Sequence, residues 1–353
     1  MNKFCVFSGF LGSGKTTTMM ALTQYYSAHY GKAAMISNDL GHGVTLADNR
    51  LAQLSGCSAS ELTEECICYQ NDKLAERIDS YYAGGFDLFL SDIPGFGVGA
   101  LEHVYHGLNE KYPGVYTLAP FTVLIEPDSA ALLRSGGGGD MAYILQTQLM
   151  EADLIVLNKS DTVDTARLEE DLAWLKGQYP LAACIAISAR TGDGLEELAL
   201  ALKNNTASMR RPEIGYGGEA FMAAMGKISE YYLQYHAAVC CDTFDGTAYL
   251  VQIAEQIREK LMASGHDVPH LKLLAWEPEG DYGKVDLIGI GRPIEITRRF
   301  TRPCTELAVI LNASALCPDR ALDKTMSGTV KSVSDEFRLE IILFKEECFG
   351  MVE

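Results

Sequence analysis

The sequence has few basic residues and no long apolar run. Its 353 residues include 29 Lys and Arg against 47 Asp and Glu, which gives a formal net charge of -18. Because such a surface repels a polyanion, we expect no nucleic-acid partner. The first residues lack the cationic and apolar segments of an export signal, and no run of about eighteen apolar residues follows. We therefore expect a cytoplasmic location and no membrane partner.

Ordered cysteine spacing and histidine-rich tracts are also lacking. The ten cysteines are irregularly placed, which favours thiols in a reducing compartment over a disulfide framework. Cys240 and Cys241 would face opposite sides of a strand, so we expect structural roles for them, as for Cys304, Cys317 and Cys348. The absence of a histidine-rich tract argues against bulk metal storage.

Strand and helix patterns alternate over the first part of the chain. The spacing predicts a strand over 3–8 and a helix over 15–29. Further apolar runs that predict strands lie at 33–36, 86–90, 121–125, 154–157 and 184–187. This alternation predicts an α/β domain, residues 1–207, with a mainly parallel sheet flanked by helices.

A second pattern begins after the Pro/Gly-bearing basic stretch at 206–218, which is typical of a linker. Helices are predicted over 219–233, 246–264 and 318–336, and strands over 235–241, 271–276, 284–290, 305–312 and 338–344. The order predicts a C-terminal α+β domain, residues 208–353, of the split βαβ or ferredoxin-like type.

A phosphate-binding loop lies between the first predicted strand and helix. Gly9 to Thr16 reads GFLGSGKT, the P-loop pattern, and its spacing and context agree. The residues expected to line the phosphate cradle with their backbone N–H groups are Gly9, Gly12, Ser13 and Gly14. We expect Lys15 to reach the terminal phosphates, Thr16 to ligate Mg²⁺ and Thr17 to contact the α-phosphate.

Asp92-Ile93-Pro94-Gly95 follows another predicted strand. An acid at the carboxyl end of a parallel strand lies at the phosphate-binding edge of the sheet, so Asp92 could hold Mg²⁺ through water. The Gly95 N–H could sense a γ-phosphate and be released on hydrolysis, which is the basis of a switch loop. The Asp-x-x-Gly pattern alone is a weak signal.

Two short motifs fit recognition of a guanine base. Asn158-Lys159-Ser160-Asp161 follows the strand predicted at 154–157. An ionised Asp161 only accepts hydrogen bonds, which suits the N1–H and N2–H₂ donors of guanine, whereas adenine has no such pair. Ser188-Ala189-Arg190 follows the next strand, where a backbone N–H could reach the base oxygen. The alternative for the first motif is a plain turn.

Taken together, these motifs resemble the CobW/HypB/UreG family of P-loop GTPases. The resemblance covers about residues 3–200, and it implies GTP or GDP with Mg²⁺ as ligands and GTP hydrolysis as the activity. It implies catalytic contributions from Lys15, Asp39 and Asp92. In the family an Asn followed by an acid, here Asn38-Asp39, orders the first switch near the metal, so Asp39 is a candidate ligand of Mg²⁺ or catalytic water. The alternative is an exposed Asx turn before glycine. No residue that activates the attacking water is identified.

The sequence departs from the family at its metal-binding motif. CobW-like members carry Gly-Cys-x-Cys-Cys, whereas this chain has Cys66-Ile67-Cys68-Tyr69. In an extended segment the two thiols would point to one face, which suits Zn²⁺, Co²⁺ or Ni²⁺, but two ligands do not close a tetrahedral site. The candidates that could complete it are Cys57, His42, Glu64, Glu65 or a residue of a partner subunit. The alternative is a pair of buried structural thiols.

Three functions remain open at this stage. The first is a GTP-dependent metallochaperone or metallocofactor-insertion factor with a metalloenzyme client. The second is a switch that loads or activates a corrinoid (cobalamin-dependent) client protein without carrying metal. The third, a small-molecule kinase, gives no reason for the Asn158 to Asp161 motif. The resemblance also implies a GTP-linked homodimer.

Overall fold

The computed structural model describes residues 3–42, 47–212, 218–239 and 242–352. Its contacts divide the chain into two compact units. The first unit comprises Met1–Leu40 and Ser55–Ala224, and the second comprises Gly41–Leu54 and Met225–Glu353. The predicted domain boundary lies after residue 207, whereas in the structure residues 208–224 group with the first unit and residues 41–54 with the second. Cys240 and Cys241 lie outside the described residues.

The first unit is built on a parallel sheet. Its strands are β1 (Lys3–Ser8), β2 (Ala33–Asn38), β3 (Ala59–Leu62), β4 (Leu88–Asp92), β5 (Thr117–Leu118), β6 (Thr122–Ile125), β7 (Leu154–Leu157) and β8 (Ala183–Ala186). They follow the order β3-β2-β4-β1-β6-β7-β8, with β5 also paired to β1. Each of these pairings among the described residues is parallel. The predicted α/β class is confirmed.

Helices connect these strands. Those up to residue 225 are α1 (Lys15–His29), α2 (Ala47–Leu54), α3 (Asn71–Ala83), α4 (Gly107–Lys111), α5 (Pro127–Arg134), α6 (Gly139–Glu151), α7 (Thr165–Gln178), α8 (Leu195–Asn204) and α9 (Glu219–Met225). A π-helical segment, Leu101–His106, runs directly into α4. The central strands β1, β2 and β4 are buried along nearly their whole length, as expected for a parallel sheet covered on both faces. In the described residues, no helix is both long and apolar enough to span a bilayer.

The second unit is an antiparallel sheet with two long helices. Its strands are β9 (Ser229–Ala238), β10 (Asp267–Trp276), β11 (Tyr282–Leu287), β12 (Glu295–Arg298), β13 (Glu306–Leu316) and β14 (Glu340–Gly350). The helices are α10 (Gly246–Ala263) and α11 (Asp319–Glu336). The order β12-β11-β10-β13-β9-β14 contains the β14-β9-β13-β10 arrangement of a split βαβ sandwich. The predicted C-terminal fold is thus confirmed, with β11 and β12 added at one edge.

The helix predicted over 219–233 is wrong beyond Met225. Helix α9 ends there, and the chain enters β9 at Ser229. Tyr231, Leu233 and Tyr235 face the core shared with α10 and α11, while Tyr232 stacks on Phe349 away from that core. Because both faces of β9 are covered by apolar groups, the period of two that marks a strand is hidden in the sequence.

The short helix α2 packs within the second unit, although its sequence lies between β2 and β3. Ala47 shares an apolar cluster with Leu274 and Ile310, and its N–H donates to Asn312 Oδ1 at 3.1 Å. Asp48 also forms an ion pair with Lys272. These contacts explain why residues 41–54 separate from the α/β unit.

Candidate functional site

The P-loop joins β1 to α1, as the sequence predicts. Gly9, Gly12 and Gly14 have φ values of +134°, +79° and +90°, which disfavour any residue with a Cβ atom. A Cβ at Gly9 would collide with the carbonyl oxygen of Leu124, and one at Gly14 would collide with the side chain of Asn158. The loop therefore needs glycine both for its backbone turn and for its close neighbours.

Helix α1 begins at Lys15 with Gly14 as its N-cap, and no side chain of the described chain caps it. Uncapped N–H groups at a helix N-terminus form a partial positive charge suited to phosphate. Lys15 Nζ reaches back over the loop and donates to the Gly9 carbonyl at 2.6 Å and the Phe10 carbonyl at 3.4 Å. Thr16 is half-buried and Thr17 exposed at the start of the helix. These features fit a nucleotide phosphate tail.

Asp92 and Asn38 lie at the same edge of the sheet as the P-loop. Asp92 pairs in register with Phe7, two residues before Gly9. Its Oδ1 accepts the Asn38 N–H at 2.9 Å. Asp92 is thus placed near the phosphate loop with a fixed orientation, as expected for a Mg²⁺ ligand acting directly or through water. Asp39 follows in the chain, and its Oδ1 accepts the N–H of the next residue, Leu40, at 2.9 Å.

The side chain of Asn38 has a role that the sequence did not indicate. Its Nδ2 donates to the carbonyls of Leu62 and Glu65, both at 2.9 Å, and its Oδ1 accepts the Ile67 N–H at 3.0 Å. Asn38 therefore fixes the Cys66–Cys68 segment to the end of β2. Through its own N–H it also connects that segment to Asp92.

The loop that follows Asp92 passes directly beside the P-loop. A Cβ added at Gly95 would lie 2.6 Å from Leu11 Cδ2 and 2.9 Å from the Leu11 backbone nitrogen. Two buried side chains of α6, Gln148 and Glu151, bind the backbone of this loop. Sequence reasoning missed both, because their partners are backbone groups about fifty residues away. A buried Glu near the end of an otherwise apolar helix face was the available signal.

Burial dominates the chemistry of Glu151. It raises the pKa of this carboxyl from 4.5 to about 7, although hydrogen bonds from the Gly99 and Leu101 N–H groups act in the opposite direction. The side chain is fully buried. Near neutral pH the group therefore exchanges between its ionised and protonated forms.

The two base-reading motifs meet at Asn158. Its Nδ2 donates to the Ser13 carbonyl in the P-loop at 2.9 Å, and its Oδ1 accepts the Ala189 N–H at 3.2 Å. One side chain thus ties together the phosphate loop and both predicted base-reading segments. Lys159, with φ of +63°, pairs with Glu126 Oε2 at 2.7 Å, which fixes the loop from a second side.

Asp161 is held at this site by the second motif. Ser188 Oγ donates to its Oδ1 at 2.6 Å, and the Arg190 guanidinium bonds its Oδ2. Partial burial raises the pKa of Asp161, but the bonds from Ser188 and Arg190 outweigh it and leave the pKa below its ordinary value. Asp161 is therefore ionised at neutral pH, the form needed to accept two guanine donors.

Cys66 and Cys68 come together, but not through the extended segment predicted. Cys66 caps a short 3₁₀ turn, Ile67–Tyr69, and the two Sγ atoms lie 2.9 Å apart. The contact between the two thiols lowers the pKa of Cys66 despite burial, and it raises the pKa of Cys68, where burial acts in the same direction. Of the two thiols, Cys66 is therefore the more easily ionised.

A closed metal site is not formed around this pair. Within the described residues, no group of three or more His, Cys, Asp or Glu side chains is arranged to hold a metal ion. Cys57 is buried, with Met20 O at 3.9 Å, and Glu64 pairs with Lys73 at 4.0 Å. His42 donates its N–H to Glu347 in the second unit, and the Glu65 carbonyl is bound by Asn38 and Gln70. Among the residues that the structure describes, none of these candidates joins the two thiols.

Comparison with known proteins gives one family match. The family model described as "CobW/HypB/UreG, nucleotide-binding domain" matches residues 3–184. No curated protein sequence matches the chain.

Several solved structures are similar to the chain. HypB from Helicobacter pylori, in complex with nickel, is 17% identical over 58% of this chain and 89% of that chain, with a TM-score of 0.42. The hydrogenase maturation factor HypB from Archaeoglobus fulgidus is 20% identical over 57% of this chain and 89% of that chain, with a TM-score of 0.40. Zn(II)-bound YjiA GTPase from E. coli is 15% identical over 93% of this chain and 98% of that chain, with a TM-score of 0.36. At these TM-scores the likenesses say nothing about the function of this chain.

Proposed function

This chain belongs to the CobW/HypB/UreG family, and on that premise we propose that it is a Mg²⁺-dependent GTPase acting as a nucleotide-dependent switch. The observation that carries the proposal is the position of Asn158, whose amide group bonds Ser13 in the P-loop and Ala189 beside Asp161. When Asp161 holds the guanine base of a nucleotide, the phosphates of that nucleotide would be directed to the P-loop, because Asn158 bonds both the P-loop and the loop that contains Ala189.

The other residues have roles that follow from their chemistry. Lys15 offsets charge on the terminal phosphates, and Thr16, Asp39 and Asp92 hold Mg²⁺ directly or through water. The Gly95 N–H donates a hydrogen bond to the γ-phosphate, and this bond is lost when the γ-phosphate leaves. The reaction is hydrolysis of GTP to GDP and phosphate.

Calorimetry with Mg²⁺ tests the proposal. We expect GDP and a GTP analogue to bind at least about 100-fold more tightly than ADP and an ATP analogue, because a site built for paired donors rejects a base that lacks them. Lys15→Met should abolish hydrolysis, whereas Lys176→Met, at an exposed position of α7, should not. Equal binding of adenine nucleotides would remove the guanine assignment and favour a kinase.

For the cellular role, the first candidate is delivery of Zn²⁺, Co²⁺ or Ni²⁺ to a metalloenzyme or metallocofactor. Its support is the approach of the Cys66 and Cys68 Sγ atoms to 2.9 Å, with the pKa of Cys66 lowered by this contact. The cation is cargo here, and the client or a second subunit supplies the remaining ligands.

Metal titration of the apo, GDP-bound and GTP-analogue-bound protein tests this role. We expect affinity to differ between the nucleotide states and to be lost in Cys66→Ser/Cys68→Ser, while Cys184→Ser, a half-buried thiol on β8, keeps it. Light scattering on the protein in the same three nucleotide states tests for a GTP-linked homodimer. Equal affinity in all states, or none, would remove the metallochaperone role.

The second candidate is a switch that loads or activates a corrinoid client without carrying metal. It is favoured by the finding that no third ligand joins the two thiols among the described residues. In this role Cys66→Ser/Cys68→Ser should leave client-stimulated hydrolysis intact. A tenfold loss of stimulation in that variant would count against it.

A further inference from the structure

Helix α6 holds the loop that follows Asp92 through two buried side chains. Gln148 Nε2 donates to the carbonyls of Gly95 and Gly97 at 3.1 and 2.9 Å. Glu151 accepts the Gly99 and Leu101 N–H groups at 3.0 and 3.1 Å. Gln148 is 1% exposed and Glu151 0%, so water cannot replace these bonds at low cost. Four successive anchor points thus fix the loop backbone from Gly95 to Leu101.

The anchors set the position of the loop against the phosphate-binding loop. Gly95 lies so close to Leu11 that a Cβ would approach the Leu11 backbone nitrogen to 2.9 Å. At the other end, Leu101 begins a π-helical segment. This geometry is rare in proteins, and where it occurs it is often at a functional site. Any movement of Gly95 relative to α6 therefore strains or breaks the bond that its carbonyl accepts from Gln148.

The same stretch of chain also reaches the base-reading loops. Helix α6 ends at Glu151 and is followed by β7, which ends at Leu157 immediately before Asn158. Asn158 bonds the P-loop at Ser13. A single segment of eleven residues, 148–158, thus contacts both the loop that carries Gly95 and the loop that cradles phosphate. The two are positioned by one rigid support.

We propose that Gln148 and Glu151 are positioning residues for γ-phosphate recognition: they hold the Gly95 N–H where a γ-phosphate meets it and so set the preference for GTP over GDP. The inference rests on the proposed function and deepens it. Neither side chain touches the nucleotide, because both act through backbone groups of the loop. GDP, which is held by the P-loop and the base-reading loops, does not depend on them.

The test measures the ratio of affinities for a non-hydrolysable GTP analogue and GDP, by calorimetry on the full chain with Mg²⁺. Gln148→Leu keeps the side-chain volume and removes both donors, and Glu151→Gln keeps the shape and loses one acceptor. We expect each to lower the ratio by about tenfold or more, because each removes one or two hydrogen bonds of about 1 kcal/mol, with GDP affinity within about twofold of wild type. Gln146→Leu, at an exposed position of the same helix, should leave the ratio unchanged.

The outcomes separate the inference from the proposed function. If wild type shows no preference for guanine over adenine, the GTPase assignment fails, and the triphosphate-to-diphosphate ratio of whichever nucleotide binds still tests the anchors. An unchanged ratio in either variant, or an equal loss of GDP and GTP-analogue affinity, would overturn the positioning role. Hydrogen exchange of residues 93–101 provides the second measurement: it should accelerate in both variants and not in Gln146→Leu.

Discussion

Replacing Glu151 by glutamine should remove a pH dependence of stability that the wild-type protein carries. The Glu151 carboxyl is fully buried, and desolvation raises its pKa from 4.5 to about 7. In the unfolded chain the group ionises near pH 4.5, whereas in the folded protein it keeps its proton until about pH 7. Between these values the folded state binds more protons, so stability falls as pH rises.

The size of the effect follows from the two pKa values. Their difference corresponds to about 3 kcal/mol of unfolding free energy, present below about pH 4.5 and lost by about pH 8. Glutamine has no such proton to lose. The free energy of unfolding of wild type relative to Glu151→Gln should therefore decrease by about 3 kcal/mol across this range.

Urea unfolding followed by tryptophan fluorescence can measure this difference in the first unit. The sequence has two tryptophans, of which Trp174 lies in α7 of the first unit and Trp276 in β10 of the second. In a Trp276→Phe background the signal comes from the first unit alone. Glu169→Gln, at an exposed position of α7, is the control and should follow wild type at every pH. A difference between wild type and Glu151→Gln that is constant with pH would refute the reasoning.

Three further predictions follow from single contacts. Asp161→Asn should weaken GDP binding by roughly 100-fold or more, through loss of two charge-assisted bonds, and should favour xanthine over guanine nucleotides in competition assays. Asn38→Ala should free the Cys66 segment, since three hydrogen bonds of about 1 kcal/mol each are lost, and thiol labelling of Cys66 should accelerate. Lys272→Met should remove the ion pair with Asp48 that helps to hold α2 in the second unit, so limited proteolysis within residues 47–54 should become faster.

The parts of the site that the sequence predicts are those encoded by neighbouring residues. The P-loop and the base-reading motifs each combine a short pattern with a strand before it, and strand ends of a parallel sheet share one edge. The motif alone therefore locates Gly9 to Thr16 and Asp161. Thr16, Asp39 and Asp92 remain predicted Mg²⁺ ligands on the same grounds.

The parts that the sequence does not predict depend on contacts between distant residues. The side chains of Gln148 and Asn38 bind backbone groups. Because every residue has a backbone carbonyl, the sequence does not indicate which residue is the partner. Likewise the placement of α2 depends on Asp48 meeting Lys272 and on Ala47 meeting Asn312, more than two hundred residues away. Local pattern reasoning cannot find such pairs.

Asn38 also bears on the choice between the two cellular roles. Its N–H bonds Asp92, a candidate Mg²⁺ ligand, while its side chain bonds the backbone on both sides of Cys66. Asn38 is thus bonded to both Asp92 and the Cys66 segment. If Mg²⁺ and nucleotide displace Asp92, the displacement acts first on the bond from the Asn38 N–H and, through that residue, on the backbone that carries the two Sγ atoms 2.9 Å apart. The metal-carrying role requires this coupling, whereas the corrinoid role does not, so nucleotide-dependent reactivity of Cys66 distinguishes them.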